Sequence, residues 1–181
     1  MKTVKRLRVA VLLLTMTLFL SGGAHAAKVS NSDGSYSWYT TSGALVKSKW
    51  IVSKGQRYFA SKYGKLYKNC IVKIGTKYYG FGSDCTMQKG KTTINGKTYY
   101  FYKSDGHMLR KGFVTIDSKK YYFSSTGVLG KKLWVNNYYI NESGYVAKNC
   151  WVSSRYVGSD GHPLKGLQTV DGSIYYFNTN T

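Results

Sequence analysis

A motif of about twenty residues returns along almost the whole of this chain. Its marker is a pair of adjacent large side chains. The pairs are Trp38-Tyr39, Tyr58-Phe59, Tyr78-Tyr79, Tyr99-Tyr100, Tyr121-Tyr122, Tyr138-Tyr139, the degenerate Tyr156-Val157, and Tyr175-Tyr176, at steps of 17 to 22 residues. A glycine follows most pairs. Gly43, Gly64, Gly106 and Gly127 lie on a 21-residue grid whose one vacancy is filled by Cys85, and Gly144 and Gly161 follow at 17. A bulky aliphatic or Met comes next: Leu45, Leu66, Met87, Met108, Leu129, Val146 and Leu164. Three features with one period identify a repeat, and seven or eight units cover residues 36–177.

Each unit reads as a β-hairpin. Asn95-Gly96 stands between the β-prone runs Thr92-Thr93-Ile94 and Lys97–Tyr102, and Asn-Gly in that setting is a strong hairpin signal. Asp171-Gly172 and Ser53-Lys54-Gly55 fall at the same phase, and Asp117 sits in the equivalent turn. A second turn follows the aromatic strand, as in Ser104-Asp105-Gly106 and Ser159-Asp160-Gly161. In Tyr99-Tyr100-Phe101-Tyr102 the side chains alternate, so both faces of the strand carry large rings and both need cover. A lone hairpin is marginal in water. Stacked hairpins cover one another, which predicts an all-β solenoid of hairpin repeats rather than one globular core. Units between residues 131 and 166 are shortened and lose the hairpin-turn glycine, so sites there are expected to be degraded.

Composition agrees. The chain has 18 Tyr, 20 Gly, one Pro, and 27 Lys and Arg against seven Asp and Glu. So many rings exclude a disordered polycation. A total of 19% charged residues argues against a charged helical bundle. Lys2, Lys5, Arg6 and Arg8 precede the apolar run Val9–Leu20, and Ala24-His25-Ala26 fits a small-x-small cleavage site. Residues 1–26 therefore read as a secretory signal peptide, residues 27–35 as a linker, and residues 36–181 as the repeat domain. Twelve apolar residues are too few for a span of roughly 20, so no transmembrane segment is expected. Loss of the four leader cations leaves 23 basic against seven acidic residues, a net charge of +16.

The unit can be written aromatic-Val-x-x-x-Gly-Lys-x-Tyr-Tyr-Phe-x-x-x-Asp-Gly-x-Met/Leu-x-x-Gly. Its best copies are Lys91–Gly112, Phe113–Gly130 and Leu167–Thr181. It resembles the cell-wall-binding and glucan-binding repeats of Gram-positive bacteria. That superfamily includes choline-binding modules, the glucan-binding regions of secreted glucosyltransferases and the carbohydrate-binding repeats of large clostridial toxins. The resemblance implies a β-solenoid that takes saccharides or wall polymers in shallow sites between adjacent hairpins. Choline-binding repeats carry a Trp at the unit start and another before the ring pair. Here the start holds Trp50, Cys70, Phe113, Trp134 and Trp151, and the residue before the pair is Arg57, Lys77, Thr98, Lys120, Asn137, Arg155 or Ile174. A cation at that position repels a quaternary ammonium instead of caging it. The glucan-type branch is therefore expected, with a choline-binding module on choline-decorated teichoic acid as the alternative. The ligand-binding candidates are the unit-initial Trp50, Trp134 and Trp151 and the outward rings Tyr79, Tyr100 and Tyr122. Flat rings stack on apolar sugar faces, and neighbouring polar side chains bond hydroxyls.

Catalytic chemistry is not legible. Glu142 is the only Glu, and the Asp residues fall on turn phases, where a carboxylate bonds its own backbone. His107 and His162 share one repeat phase after Asp-Gly, and His25 leaves with the leader. No nucleophile triad, phosphate loop or zinc-ligand spacing occurs, so no enzyme, cofactor or metal is expected. Cys70, Cys85 and Cys150 are odd in number; a Cys70–Cys85 bridge within one hairpin competes with free thiols acting as small hydrophobes. The expected protein is a secreted, cell-surface-associated binding protein for wall polysaccharide, glucan or teichoic acid. Its basic surface aids capture of anionic polymer. A cationic membrane-active effector is the alternative from another class, and no specific nucleic acid is expected as partner.

Overall fold

The computed structural model describes residues 25–178. The expected leader, apart from His25 and Ala26, lies outside them. Among the described residues sixteen strands pair into eight antiparallel hairpins, each its own two-stranded sheet, and there is no helix. In order, β1 (Ala27–Ser30) pairs with β2 (Tyr36–Tyr39), β3 (Lys49–Ser53) with β4 (Gln56–Ala60), and β5 (Cys70–Ile74) with β6 (Lys77–Phe81). Then β7 (Gly90–Ile94) pairs with β8 (Lys97–Phe101), and β9 (Gly112–Ile116) with β10 (Lys119–Phe123). The last three hairpins are β11 (Leu133–Val135) with β12 (Tyr138–Ile140), β13 (Cys150–Val152) with β14 (Arg155–Val157), and β15 (Gly166–Val170) with β16 (Ser173–Phe177). The all-β solenoid is as the repeat implied. The expected linker at residues 27–35 is corrected: Ala27–Ser30 is a strand in register with Tyr36–Tyr39, so the first hairpin begins there. Hairpins six and seven have three-residue strands, which is the shortening seen in the sequence.

Turn chemistry sets the hairpins. Asn95 and Gly96 both have positive φ, 49° and 73°, the geometry of a two-residue type I′ turn. Where glycine is lost, Asp117-Ser118 (48° and 63°) and Asn136-Asn137 (47° and 62°) also hold two consecutive positive φ values, because short polar side chains tolerate that region.

In hairpins two to seven the last residue of the second strand forms the solenoid's buried axis. Ala60, Phe81, Phe101, Phe123, Ile140 and Val157 are fully buried. That position fixes the register, and three ring pairs shift by one residue from the sequence reading. The aligned pairs are Ser37-Trp38, Tyr79-Gly80 and Arg155-Tyr156 in place of Trp38-Tyr39, Tyr78-Tyr79 and Tyr156-Val157. Likewise Ile71, not Cys70, aligns with Trp50, because Ile71 faces Gly80 as Trp50 faces Phe59.

Two links join successive units, one through the backbone and one through a side chain. After each second strand, the residue two beyond the loop glycine donates its N–H to the preceding hairpin. Leu66, Met87, Met108, Leu129 and Val146 reach the carbonyls of Tyr36, Arg57, Tyr78, Thr98 and Lys120 at 2.7–2.8 Å. Pro163, rather than Leu164, fills this position after hairpin seven, and having no N–H it makes no such bond. The side chain of the same residue then supports the next loop glycine. A Cβ on Gly144 would lie 2.6–2.8 Å from three carbons of Leu129. Gly144 also has φ +86°, so two separate constraints select glycine. Cys85 holds the equivalent left-handed position at φ 69°. Its side chain is fully buried in a cluster with Leu66, Ile51, Ala60 and Trp38. All three cysteines are free, so the Cys70–Cys85 bridge is not formed. Burial pushes both of these thiols up, which keeps them protonated and apolar in behaviour.

Gly144→Ala is expected to cost roughly 1–3 kcal/mol from the left-handed backbone and the clash with Leu129. Gly43→Ala, with φ +79° but nothing within 4 Å of the added carbon, meets only the backbone part. Urea midpoints followed by circular dichroism check this: equal losses would show that Leu129 does not bear on Gly144.

Candidate functional site

Strand alternation gives each hairpin two faces. The front face carries the second residue of the first strand and the second and fourth residues of the next. The back face carries the third and fifth residues of a five-residue second strand, and the first and third residues of the three-residue strands β12 and β14. Front packs on the following back, and seven junctions result.

The second junction is the fullest. Trp50 on the front of hairpin two lies 5.1 Å from Phe59 of its own hairpin, 4.9 Å from Tyr79 and 6.1 Å from Phe81 of the next. The first two contacts are edge-on, the arrangement favoured by ring quadrupoles. Phe113 repeats this at the fifth junction, 5.1 Å from Tyr122 and 5.6 Å from Tyr138. Trp151 repeats it at the seventh, 5.4 Å from Tyr156, 5.2 Å from Tyr175 and 5.8 Å from Phe177. The other junctions depart. Ile71 and Gly80 face Tyr99 and Phe101 at the third, where a Cβ on Gly80 would sit 2.3 Å from the Phe101 ring; glycine is there to admit that ring. Trp134 at the sixth meets Arg155, because Arg155 stands where the other hairpins place a tyrosine.

The structure brings Trp50 and Tyr79 together across one junction. It puts Tyr122 beside Phe113, a residue not among the candidates, and leaves Trp134 and Trp151 at 37% and 44% exposure. Tyr100 is a correction. It was expected to face outward, but it is 8% exposed and packs with Leu109, Tyr121 and Phe123. Lys91 occupies the Trp position of that hairpin and leaves the cleft open to Phe123, so the Tyr100 ring turns inward. Tyr138, Tyr156 and Tyr175 were missed. Each belongs to a ring pair in the sequence, yet nothing there says which member reaches the neighbouring hairpin.

Cations sit on these rings. The Arg57 guanidinium is 4.5 Å from the Trp50 ring centre. The Lys120 ammonium is 3.8 Å from Tyr138 and 4.7 Å from Phe113. Arg155 is 5.3 Å from Trp134, Lys91 is 4.4 Å from Tyr121, and Lys28 is 5.6 Å from Tyr58. An open cleft of about 420 Å³ is lined by Trp38, Trp50, Lys49, Thr40 and Thr41 among others.

Few acids offset this charge. Lys77 and His107 hold the Asp105 carboxyl well below the usual carboxylate range, with Nζ and Nδ1 at 2.8 and 2.6 Å. Lys65 does the same for Asp33. Asp84 accepts from the Thr86 amide and hydroxyl, and Asp160 from the His162 amide, which is the turn role expected for Asp. His107 and His162 lie against rings, 4.4 Å from Tyr102 and 4.1 Å from Tyr138.

Comparison with known proteins agrees with this geometry. Models of the choline-binding repeat match residues 69–113 and 128–162, and a model of the cell wall binding repeat matches residues 111–129 and 165–180. The chain belongs to the choline-binding-like cell-wall-binding repeat family. Repeats of this family are binding modules of the Gram-positive cell surface. The modular autolysin LytC of Streptococcus pneumoniae, solved with a synthetic peptidoglycan ligand, is 24% identical over 84% of this chain and 36% of its own, with a TM-score of 0.72. Choline binding protein F of the same organism is 21% identical over 77% of this chain and 47% of its own, with a TM-score of 0.63. Both show the same fold, and this chain spans about a third to a half of their lengths. No curated protein matches the chain.

Because Trp50 joins two hairpins, Trp50→Ala is expected to lower stability by roughly 2 kcal/mol, short of the 3–5 lost with a fully buried ring. Val52, two residues along the same face of β3 but 69% exposed, should lose no more than about 0.5 kcal/mol on truncation. Paired thermal melts of the two variants decide whether the junction or mere strand hydrophobicity carries the energy.

Proposed function

We propose that this chain is a secreted, non-catalytic module that attaches without covalent bonds to cell-wall polymer, through the inter-hairpin clefts and a basic surface. The observation that carries this reading is the recurrence of one ring arrangement at Trp50–Tyr79, Phe113–Tyr138 and Trp151–Tyr175. A periodic polymer presents its units at intervals, and a solenoid with periodic clefts engages several of them. Weak individual stacks then add through linked sites. LytC in complex with a synthetic peptidoglycan ligand, and choline binding protein F with a tetrasaccharide-pentapeptide, support a glycan strand as the polymer. The cleft lined by Trp38, Trp50, Lys49, Thr40 and Thr41 suits a sugar ring and its hydroxyls.

The basic surface supplies a second element. Exposed lysines on nearly every hairpin give a positive field along the solenoid, which attracts anionic teichoic acid. That attraction is screened beyond about 8 Å at physiological salt, whereas ring stacking is not.

Co-sedimentation with Gram-positive walls tests the reading, with intact walls, walls stripped of teichoic acid, and insoluble α-glucan run in parallel. Retention on intact and stripped walls alike at 0.5 M salt (roughly a 4 Å screening length) is expected. Retention lost with teichoic acid or salt would make charge the sole determinant. Binding confined to the glucan pellet would move the ligand out of the wall, and failure to pellet with any of the three would end the reading.

A further inference from the structure

One basic residue recurs at the same place in all seven connectors between hairpins. Lys47, Lys68, Lys89, Arg110, Lys131, Lys148 and Lys165 each stand two residues beyond the one that bridges back to the end of the second strand. No other phase of the repeat is basic in all seven. Hairpins six and seven have lost strand length and the turn glycine, yet the connectors around them keep Lys131, Lys148 and Lys165. The backbone holds each position alike. The residue before it donates its N–H to the hairpin just completed, as Val46 to Trp38, Leu109 to Tyr100 and Leu164 to Tyr156, all at 2.8 Å. The residue after it has a positive φ in every connector, between 47° and 73°. In five connectors (Ser48, Asn69, Lys111, Lys132 and Asn149) that residue donates to the loop beyond the next hairpin at 2.7–3.4 Å. Each cation thus stands on a pinned connector that crosses a junction. All seven are exposed. None is in an ion pair: Asp33, Asp105 and Glu142 are taken by Lys65, by Lys77 with His107, and by Lys132. Lys89 Nζ and Arg110 Nε reach the carbonyls of Ser104 and Ser125, the same position of the next loop, at 3.4 and 2.8 Å. Lys68 and Arg110 also touch the rings of Tyr36 and Tyr78, at 5.1 and 4.6 Å.

We propose that these seven residues form one binding row for the backbone phosphates of a polyol-phosphate polymer, each connector supplying one cation to a single polymer chain. The residue types select phosphate among anions. Six of the seven are Lys, a compact charge with three rotatable donors that meets a phosphate oxygen from many directions, whereas paired recognition of a carboxylate calls on the planar fork of Arg. The connectors also lack a platform for bases. The only ring among the residues from bridge to cation is Tyr67, and it is packed between Phe59 and Phe81 at 6.1 and 5.8 Å. Single-strand nucleic-acid grooves rely on exposed rings beside their cations. A lone exposed contact of this kind is weak. Seven on one pinned frame act together on one chain, because each bound phosphate holds its neighbours near the next cation. The assignment rests on the wall-binding reading and deepens its electrostatic half, replacing a diffuse positive field with an ordered row. It uses no ring junction. A soluble polymer tests it separately from retention on walls.

The experiment is calorimetric titration of the whole chain with soluble, unsubstituted poly(glycerol phosphate) at a series of salt concentrations. Wild type is expected to bind, with log K falling linearly against log salt as phosphate contacts release counterions. A variant carrying Lys47→Gln, Lys89→Gln, Lys131→Gln and Lys165→Gln should bind roughly tenfold or more weakly, at about two- to threefold per contact. Its salt slope should fall to about half. The comparison variant carries Lys54→Gln, Lys73→Gln, Lys97→Gln and Lys103→Gln. It removes the same charge from exposed, unpaired lysines off the row and should lose less than about threefold. Arg at the four row positions keeps the charge and should keep wild-type affinity. Circular dichroism establishes that each variant retains its strands, and the Arg variant guards against the Gln variant failing to fold. Binding of the soluble polymer without retention on walls would support the row while ending the wall reading. Equal losses in the two Gln variants would overturn the row, as would failure of wild type to bind the polymer. Tighter binding of polygalacturonate or of oligothymidylate of matched charge would overturn the choice of polyol phosphate.

Discussion

A hairpin with strands of three to five residues does not hold together alone in water. Everything in this chain therefore depends on the contact between the front face of one hairpin and the back face of the next. That contact is made by rings meeting edge-on, by one buried residue per hairpin along the axis, and by one N–H per loop reaching the hairpin before it. The loop glycines serve the same contact, since Gly144 must let Leu129 lie directly beneath it. Stability is a property of junctions, and any site for a ligand has to share them.

That sharing explains the odd electrostatics. A chain with 27 basic and seven acidic residues has little internal charge to neutralise its lysines and arginines. Several of them are placed instead on ring faces, where the negative quadrupole takes the place of a carboxylate. The same placement brings adjacent hairpins together, because Lys120 touches rings from both hairpins five and six.

The repeat period, the hairpins and the solenoid were legible in the sequence because backbone requirements leave local marks. Asn95-Gly96 announces its turn, and the grid of loop glycines announces the second one, with Cys85 identifiable as a substitute by position alone. The register within a pair was not legible. With rings on both faces, alternation does not say which ring looks forward, and Gly80 breaks the pattern at Tyr78-Tyr79 because it makes room for Phe101 of the next hairpin. The first strand was hidden for a related reason: Ala27–Ser30 carries no ring, and its pairing is supplied by Tyr36–Tyr39. Tyr100 was misplaced because its burial follows from Lys91 replacing a Trp across the strand pair, a fact of tertiary contact. The cations before the ring pairs were visible as residues. That they fold over the rings is set by faces the sequence leaves undetermined.

The shortened hairpins give the solenoid a weak point under load. If the proposed attachment at several clefts holds, the module is stretched whenever its free end is pulled. The ladders of β11–β12 and β13–β14 have three paired residues where their neighbours have up to five, and the loop after β14 lacks the backward bond that Pro163 cannot make. Tension is therefore relieved there first. Opened, residues 133–157 span at most roughly 80–90 Å at 3.3–3.6 Å per residue, while the longer hairpins on the N-terminal side keep their packing. Hairpins six and seven yield before the cleft between Trp50 and Tyr79 is disturbed.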